Sequence, residues 1–148
     1  MNRPLPNLQQ RQEKMTTPTK HNKKNRRGAA VVEFAVCLPV LIILVLGSIE
    51  CTSMIFLTQS LNVVAYEGVR SAIRPDSTTA ETLARCQEVI AERNLVDAQV
   101  TLDPANVDDL PAGTLVTLTA TAPAQPNGAL RLRFFSGSLD AQAVMVKE

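Results

Sequence analysis

The 148-residue chain has no tryptophan, one tyrosine, one histidine and three cysteines, and each shortage closes off some chemistry. His21 lies in a basic N-terminal stretch, so the rest of the chain has no imidazole for acid–base work or zinc ligation. No G-x-S-x-G, phosphate-cradling glycine loop or H-E-x-x-H is written anywhere. These gaps argue against an enzyme, and no catalytic, cofactor or metal residue is assigned. Cys37, Cys51 and Cys86 show no C-x-x-C spacing. Cys37 falls in an apolar run and reads as a packing residue. Cys51 and Cys86 both fall beyond that run, which leaves a Cys51–Cys86 disulfide open.

Charge is distributed unevenly. The formal net charge is +1, yet residues 1–28 hold eight of the fifteen basic residues and one acid, Glu13. Residues 29–148 hold the other seven basic and thirteen acidic residues, a formal −6. A basic head before an apolar run marks the cytoplasmic side of a membrane segment. The head has no aromatic residue to stack on a base, so topology is preferred over nucleic-acid binding. With Pro4, Pro6 and Pro18 and no apolar periodicity, it is expected to be disordered.

From Gly28 to Ile49 the only charged residue is Glu33. The run is apolar all round and long enough to cross a bilayer, which takes about 20 such residues. Pro39 is expected to kink it, with neighbouring groups re-satisfying the freed carbonyl. The helical pattern then continues as a stripe of Leu57, Leu61, Val64, Ala65, Gly68 and Ala72. Pro75 ends it. Residues 29–74 are thus predicted to be one helix of roughly 70 Å at 1.5 Å per residue. Its part 29–50 is transmembrane and its part 51–74 is an amphipathic extension.

Thr78 and Glu81 have capping-box spacing, with Leu83, Cys86, Val89 and Ile90 as the apolar face of a second helix and Asn94 as its stop. The period then changes to two. Val96, Ala98, Val100 and Leu102 predict one strand, Val116 to Ala122 a second, and 138–147 a third, with Leu139, Ala141, Ala143 and Met145 on one face. DPANVDDLPAG and APAQPNG read as loops, Asp108-Asp109 as solvated, and RLRFFSG is unassigned. Residues 75–148 are therefore an α+β domain: a short helix and about three antiparallel strands packed on the long helix. Glu67 and Arg70, three apart, read as a solvated surface pair. Gly68 either permits close helix–strand approach or is merely tolerated.

The sharpest signal is the junction RRGAAVVEF at 26–34, where a glycine precedes the apolar run and an acid stands fifth after it. A carboxylate in hydrocarbon costs about 2.5 kcal/mol or more, so such an acid is expected to have a function. The junction resembles the prepilin peptidase site of type IV pilin-like proteins. With E-F-A-x-x-L-P-x-L at 33–41 and NVVAYEGVRSAIRP at 62–75, the chain resembles the TadE-like pseudopilins, in a pilin-like fold. That resemblance implies a minor component of tight-adherence (Tad/Flp) pilus assembly, active in cell adhesion. It implies cleavage between Gly28 and Ala29 by prepilin peptidase, so that 1–28 is a leader. It also implies Glu33 as the register-setting acid, facing the new α-amine of an adjacent subunit. The implied partners are that peptidase, other pilins or pseudopilins and the lipid bilayer, with no nucleic acid and no small-molecule substrate. The implied place is the inner (cytoplasmic) membrane, single-pass, with the N-terminus cytoplasmic and the C-terminal domain periplasmic or extracellular. Phe34 stands where major pilins of this system have tyrosine, and the leader is long; both argue against a major fibre subunit.

Two rivals stand beside this. A cleaved secretory signal would need a small-x-small site after the apolar core, and L-G-S-I-E-C also lacks the small residue a lipoprotein site places before its cysteine. The other rival is an uncleaved single-pass anchor of an envelope or secretion complex.

Overall fold

The structure, a computed structural model, describes residues 23–130 and 136–148, with side chains from Gly28 onward. Most of RLRFFSG and the basic head before Lys23 lie outside the described residues. The elements in order are α1 (Lys23–Ala72), α2 (Thr79–Glu92), β1 (Gln99–Asp103), β2 (Leu115–Pro123), α3 (Ala124–Asn127) and β3 (Ser138–Val146). The fold is α+β, as the periodicity predicts. Contacts divide the chain between Leu41 and Ile42.

α1 runs unbroken through Pro39, although the ring leaves the Ala35 carbonyl without its intrahelical donor. It ends at Ala72, two residues before the end that Pro75 alone predicts. The reason is competition for carbonyls at the turn. Ser77 Oγ donates to the Ala72 carbonyl at 2.6 Å. The Lys147 ammonium, 6% exposed, donates to the carbonyls of Ala72 (3.0 Å) and Arg74 (2.9 Å) and to Ser77 Oγ (2.7 Å). All three of its protons are used, at the end of a helix whose dipole favours a cation.

Thr78 and Glu81 form the capping box: the Glu81 amide donates to Thr78 Oγ1 at 3.2 Å, and the Thr78 amide to Glu81 Oε2 at 3.4 Å. A contact absent from the sequence reading reinforces this start. The Thr79 amide donates to Asp108 Oδ1 at 2.6 Å, so Asp108 holds the loop after β1 onto the first turn of α2 instead of standing free in solvent. The buried face of α2 is Thr82, Cys86 and Val89. Leu83, predicted on that face, is 37% exposed, because the three-residue step from Val89 to Cys86 and the four-residue step from Cys86 lead back to Thr82. Asn94, at φ 53°, ends the helix.

The sheet order is β1-β2-β3, antiparallel throughout. β2 and β3 pair over nine residues, from Leu115↔Val146 to Pro123↔Ser138. Val116, Leu118, Ala120 and Ala122 face inward with Leu139, Ala141, Ala143 and Met145, and the threonines of β2 face out. β1 starts at Gln99, not at Val96. The Asn127 side chain takes both backbone groups of Val96, at 2.8 and 2.9 Å, and Asp97 at φ 54° breaks the extended run. Part of the predicted APAQPNG loop is the single turn α3, in which Asn127 Nδ2 also donates to the Pro123 carbonyl.

The core joins the α1 stripe (Leu57, Leu61, Val64, Ala65, Val69, Ala72) to Cys86 and Val89 of α2, Val107 of the loop and the inner sheet face. Leu57 and Leu61, at most 1% exposed, contribute about 1.5–3 kcal/mol each by burial. Gly68 sits where α1, α2 and β2 meet. A Cβ there would lie 2.5 Å from both Cys86 Sγ and Leu118 Cδ1, so close approach is what that glycine permits.

The cysteines are all free. Cys86 packs against Gly68, seventeen residues along α1 from Cys51, or about 25 Å of helix axis. A disulfide needs Cα atoms within about 7 Å, so the bridge left open between Cys51 and Cys86 does not form in this fold.

Two measurements check this packing. Gly68→Val is expected to cost about 1–3 kcal/mol in denaturant unfolding through overpacking, and Cys86→Ala in the same chain to recover part of it. Burial pushes the Cys86 thiol up to about 11 from 9.0. A water-soluble maleimide at pH 8 should therefore modify exposed Cys51 and spare Cys86. Below about 9 the thiol is protonated in both states and costs nothing; as pH rises from about 9 to about 11, the unfolded chain loses its proton first and stability falls. Melting temperatures of the wild type should fall more steeply across that window than those of Cys86→Ala.

Candidate functional site: the N-terminal helix and its carboxylates

Every residue of α1 from Gly28 to Ile49 is exposed. Val31, Phe34, Val36 and Ile43 stand 60–70% open, and the most apolar 18-residue window, of mean hydropathy 2.8, has no buried residue. Among the described residues, none covers this surface. An apolar patch this large marks a lipid or partner contact, and the helix is long and apolar enough to cross a membrane. Gly28, Ala29, Glu33, Cys37 and Pro39 all lie on it. Gly28 has nothing within 4 Å of a notional Cβ among the described residues. Ala29 and Glu33, four residues apart, are about 6 Å apart along the axis.

The transition out of the apolar run is managed by hydroxyls bonded back onto the helix. Ser48 Oγ donates to the Leu44 carbonyl at 2.6 Å, Thr52 Oγ1 to Ser48 at 2.8 Å and Ser53 Oγ to Ile49 at 3.0 Å. Each satisfies its proton without water, and polar residues can therefore sit at the edge of a lipid-compatible segment.

Glu50 is a site residue that sequence reasoning missed. As the first charged residue after the run it looks like an interfacial side chain, yet it is 1% exposed. Its Oε2 accepts the Leu130 amide at 3.1 Å, and Ser53 Oγ accepts the Ala129 amide at 3.2 Å. Gly128 packs directly on Oε1, which has no hydrogen bond among the described residues. α1 thus grips the 128–130 segment one turn beyond Ile49. The only signal in the sequence is the pairing of this acid with a distant glycine, Gly128, which spacing does not reveal.

Glu67 is not paired with Arg70. Its partner is Arg85 of α2 at 3.4 Å, and Arg85 also holds Glu88 at 2.7 Å. The Glu88 hydrogen bond foremost, with Glu67, raises the Arg85 pKa. These residues line an open cleft of about 660 Å³ with Arg74, Asp76 and Glu81. Glu81 is occupied by the Thr78 cap, so much of the cleft's acidity is already committed to Arg85 or to capping.

No curated protein and no solved structure matches this chain. The family model described as TadE-like protein does: it matches residues 28–70, which take in the glycine, the fifth-position acid, the whole apolar run and the buried stripe as far as Arg70.

Proposed function

We propose that the chain is a pseudopilin-like component of tight-adherence pilus assembly, anchored in the cytoplasmic membrane by α1 and processed by prepilin peptidase after Gly28. The observation that carries this reading is Glu33, a carboxylate on a helix whose apolar surface is left exposed by the described residues, inside the segment that matches the TadE-like family. A lone carboxylate in hydrocarbon is costly, and so is a lone ammonium. Hydrolysis of the Gly28–Ala29 peptide creates the ammonium at the right depth. Paired across neighbouring copies or related subunits, the two charges offset part of each other's cost and set the axial register of packing. The role is assembly, not catalysis. Residues 29–50 supply lateral contacts and 75–148 face partners on the periplasmic or extracellular side, with the basic residues of 1–28 on the cytoplasmic side.

One observation favours the rival of an uncleaved anchor. α1 begins at Lys23, so the Gly28–Ala29 peptide lies inside a helix and not at its end. Replacing Gly28 separates the two. Gly28→Leu should leave a membrane protein larger than the wild type by the mass of the leader and unable to support pilus assembly. A variant of unchanged size and function would establish the anchor instead. Glu33→Gln should still be cut, but should lose about 1.5–3 kcal/mol of charge-assisted pairing, roughly a ten- to hundredfold weakening of subunit association. Pilus yield in the two variants provides the readout.

A further inference from the structure

The end of the domain nearest Ile49 carries a small cleft that the assembly role does not use. It has a volume of about 210 Å³ and is lined by Phe56, Arg93, Asn94, Val96, Pro126 and Asn127, with Leu57 behind. Its place in the fold follows from a chain of contacts. Gly128 packs on Glu50, the residue after Ile49. Asn127 holds Val96 through two hydrogen bonds. Val96 shares the cleft with Phe56.

Two features of this cleft suit a membrane surface. The first is depth. Phe56 lies seven residues beyond Ile49, about 10 Å along the axis, and helical side chains lean back over the turn before their own Cα. Its ring therefore reaches toward the headgroup layer, which is about 5–8 Å deep on each side of the hydrocarbon. The second is composition. Phe56 and Val96 are 52% and 40% exposed, and beside them Arg93 makes no ion pair among the described residues. Aromatic rings and long cations are the side chains that settle at a bilayer interface, one end apolar and the other wet.

We propose that this cleft takes the phosphate headgroup of an anionic lipid, seating the base of the domain on the bilayer that holds α1. Arg93 binds the phosphate, Phe56 and Val96 rest against the glycerol region of the headgroup layer, and Asn94 and Asn127 line the polar side. The inference rests on the reading of α1 as a membrane anchor. It adds a direct contact between the domain and the bilayer to the hold that α1 already provides.

The test uses the full chain in phosphatidylcholine nanodiscs with or without phosphatidylglycerol, doped with nitroxide-headgroup lipid. In a Cys37→Ser, Cys51→Ser background, dye is attached at Ala129→Cys, beside the cleft, or at Ala112→Cys. Ala112 lies at the opposite end, next to Gly113, whose amide donates to the Lys147 carbonyl. Quenching should be strong at 129, weak at 112 and enhanced by phosphatidylglycerol. Arg93→Ala should lower the docked-to-undocked ratio roughly fivefold, the share of one cation at an anionic surface. Phe56→Ser should also lower it, and Arg93→Lys should largely preserve it. Quenching at 129 that ignores these substitutions, or is equal without phosphatidylglycerol, would overturn the proposal while leaving the anchor intact. Self-quenching that tracks the number of chains per disc would assign the cleft to a second copy and overturn it too. A chain that does not integrate at all would refute the anchor, and this inference with it.

Discussion

An apolar helix surface that no other described residue covers is the constraint from which the rest of this protein follows. Between Gly28 and Ile49 every side chain of α1 faces outward, while from Met54 to Ala72 the same helix buries one stripe almost completely. A single backbone element therefore belongs to two solvents. In the first half the helix satisfies its backbone internally, which is what a lipid environment demands. In the second half it is the central support of a water-facing domain. Within the first half, from Gly28 to Ile49, Glu33 is the acid that the sequence places on this apolar surface.

The domain is fastened to the helix at both ends of the buried stripe. At the far end, Lys147, the residue after β3, donates its three protons to the Ala72 carbonyl that ends α1 and to the Arg74 carbonyl and Ser77 Oγ of the turn beyond it, and the Glu148 amide donates to the Ile73 carbonyl. At the near end, Glu50 and Ser53 accept the amides of Leu130 and Ala129. Between these clamps, Gly68 lets α1, α2 and β2 approach to a distance no side chain would allow. The consequence is a domain positioned along the helix by side chains that contact it at several turns.

Much of this was legible in the sequence, and the misses share a cause. The apolar run, the stripe ending at Ala72, the capping box at Thr78 and Glu81 and the alternating strands are all local patterns, and each appears in the fold at or near its predicted place. What failed to show were tasks given to side chains by residues far away in sequence. Val96 reads as strand until Asn127, 31 residues on, takes its backbone groups. Asp108 reads as solvated until it is seen bonded to Thr79. Glu67 found its partner on α2 instead of one helical turn away. Thr82 displaced Leu83 from the buried face because Cys86 and Val89 set the helix rotation. Gly28, Ala29 and Glu33 stand at their expected spacing because all three lie on one helix, whereas the burial of Glu50 depends on Gly128, 78 residues away.

If Glu33 sets register, proteolysis after Gly28 supplies the cation that faces it. The most direct measurement is the N-terminal sequence of the protein isolated from membranes. A chain beginning Ala-Ala-Val-Val-Glu, with Ala29 first, is the predicted result. A chain that retains Arg26 and Arg27 ahead of Gly28 would contradict it.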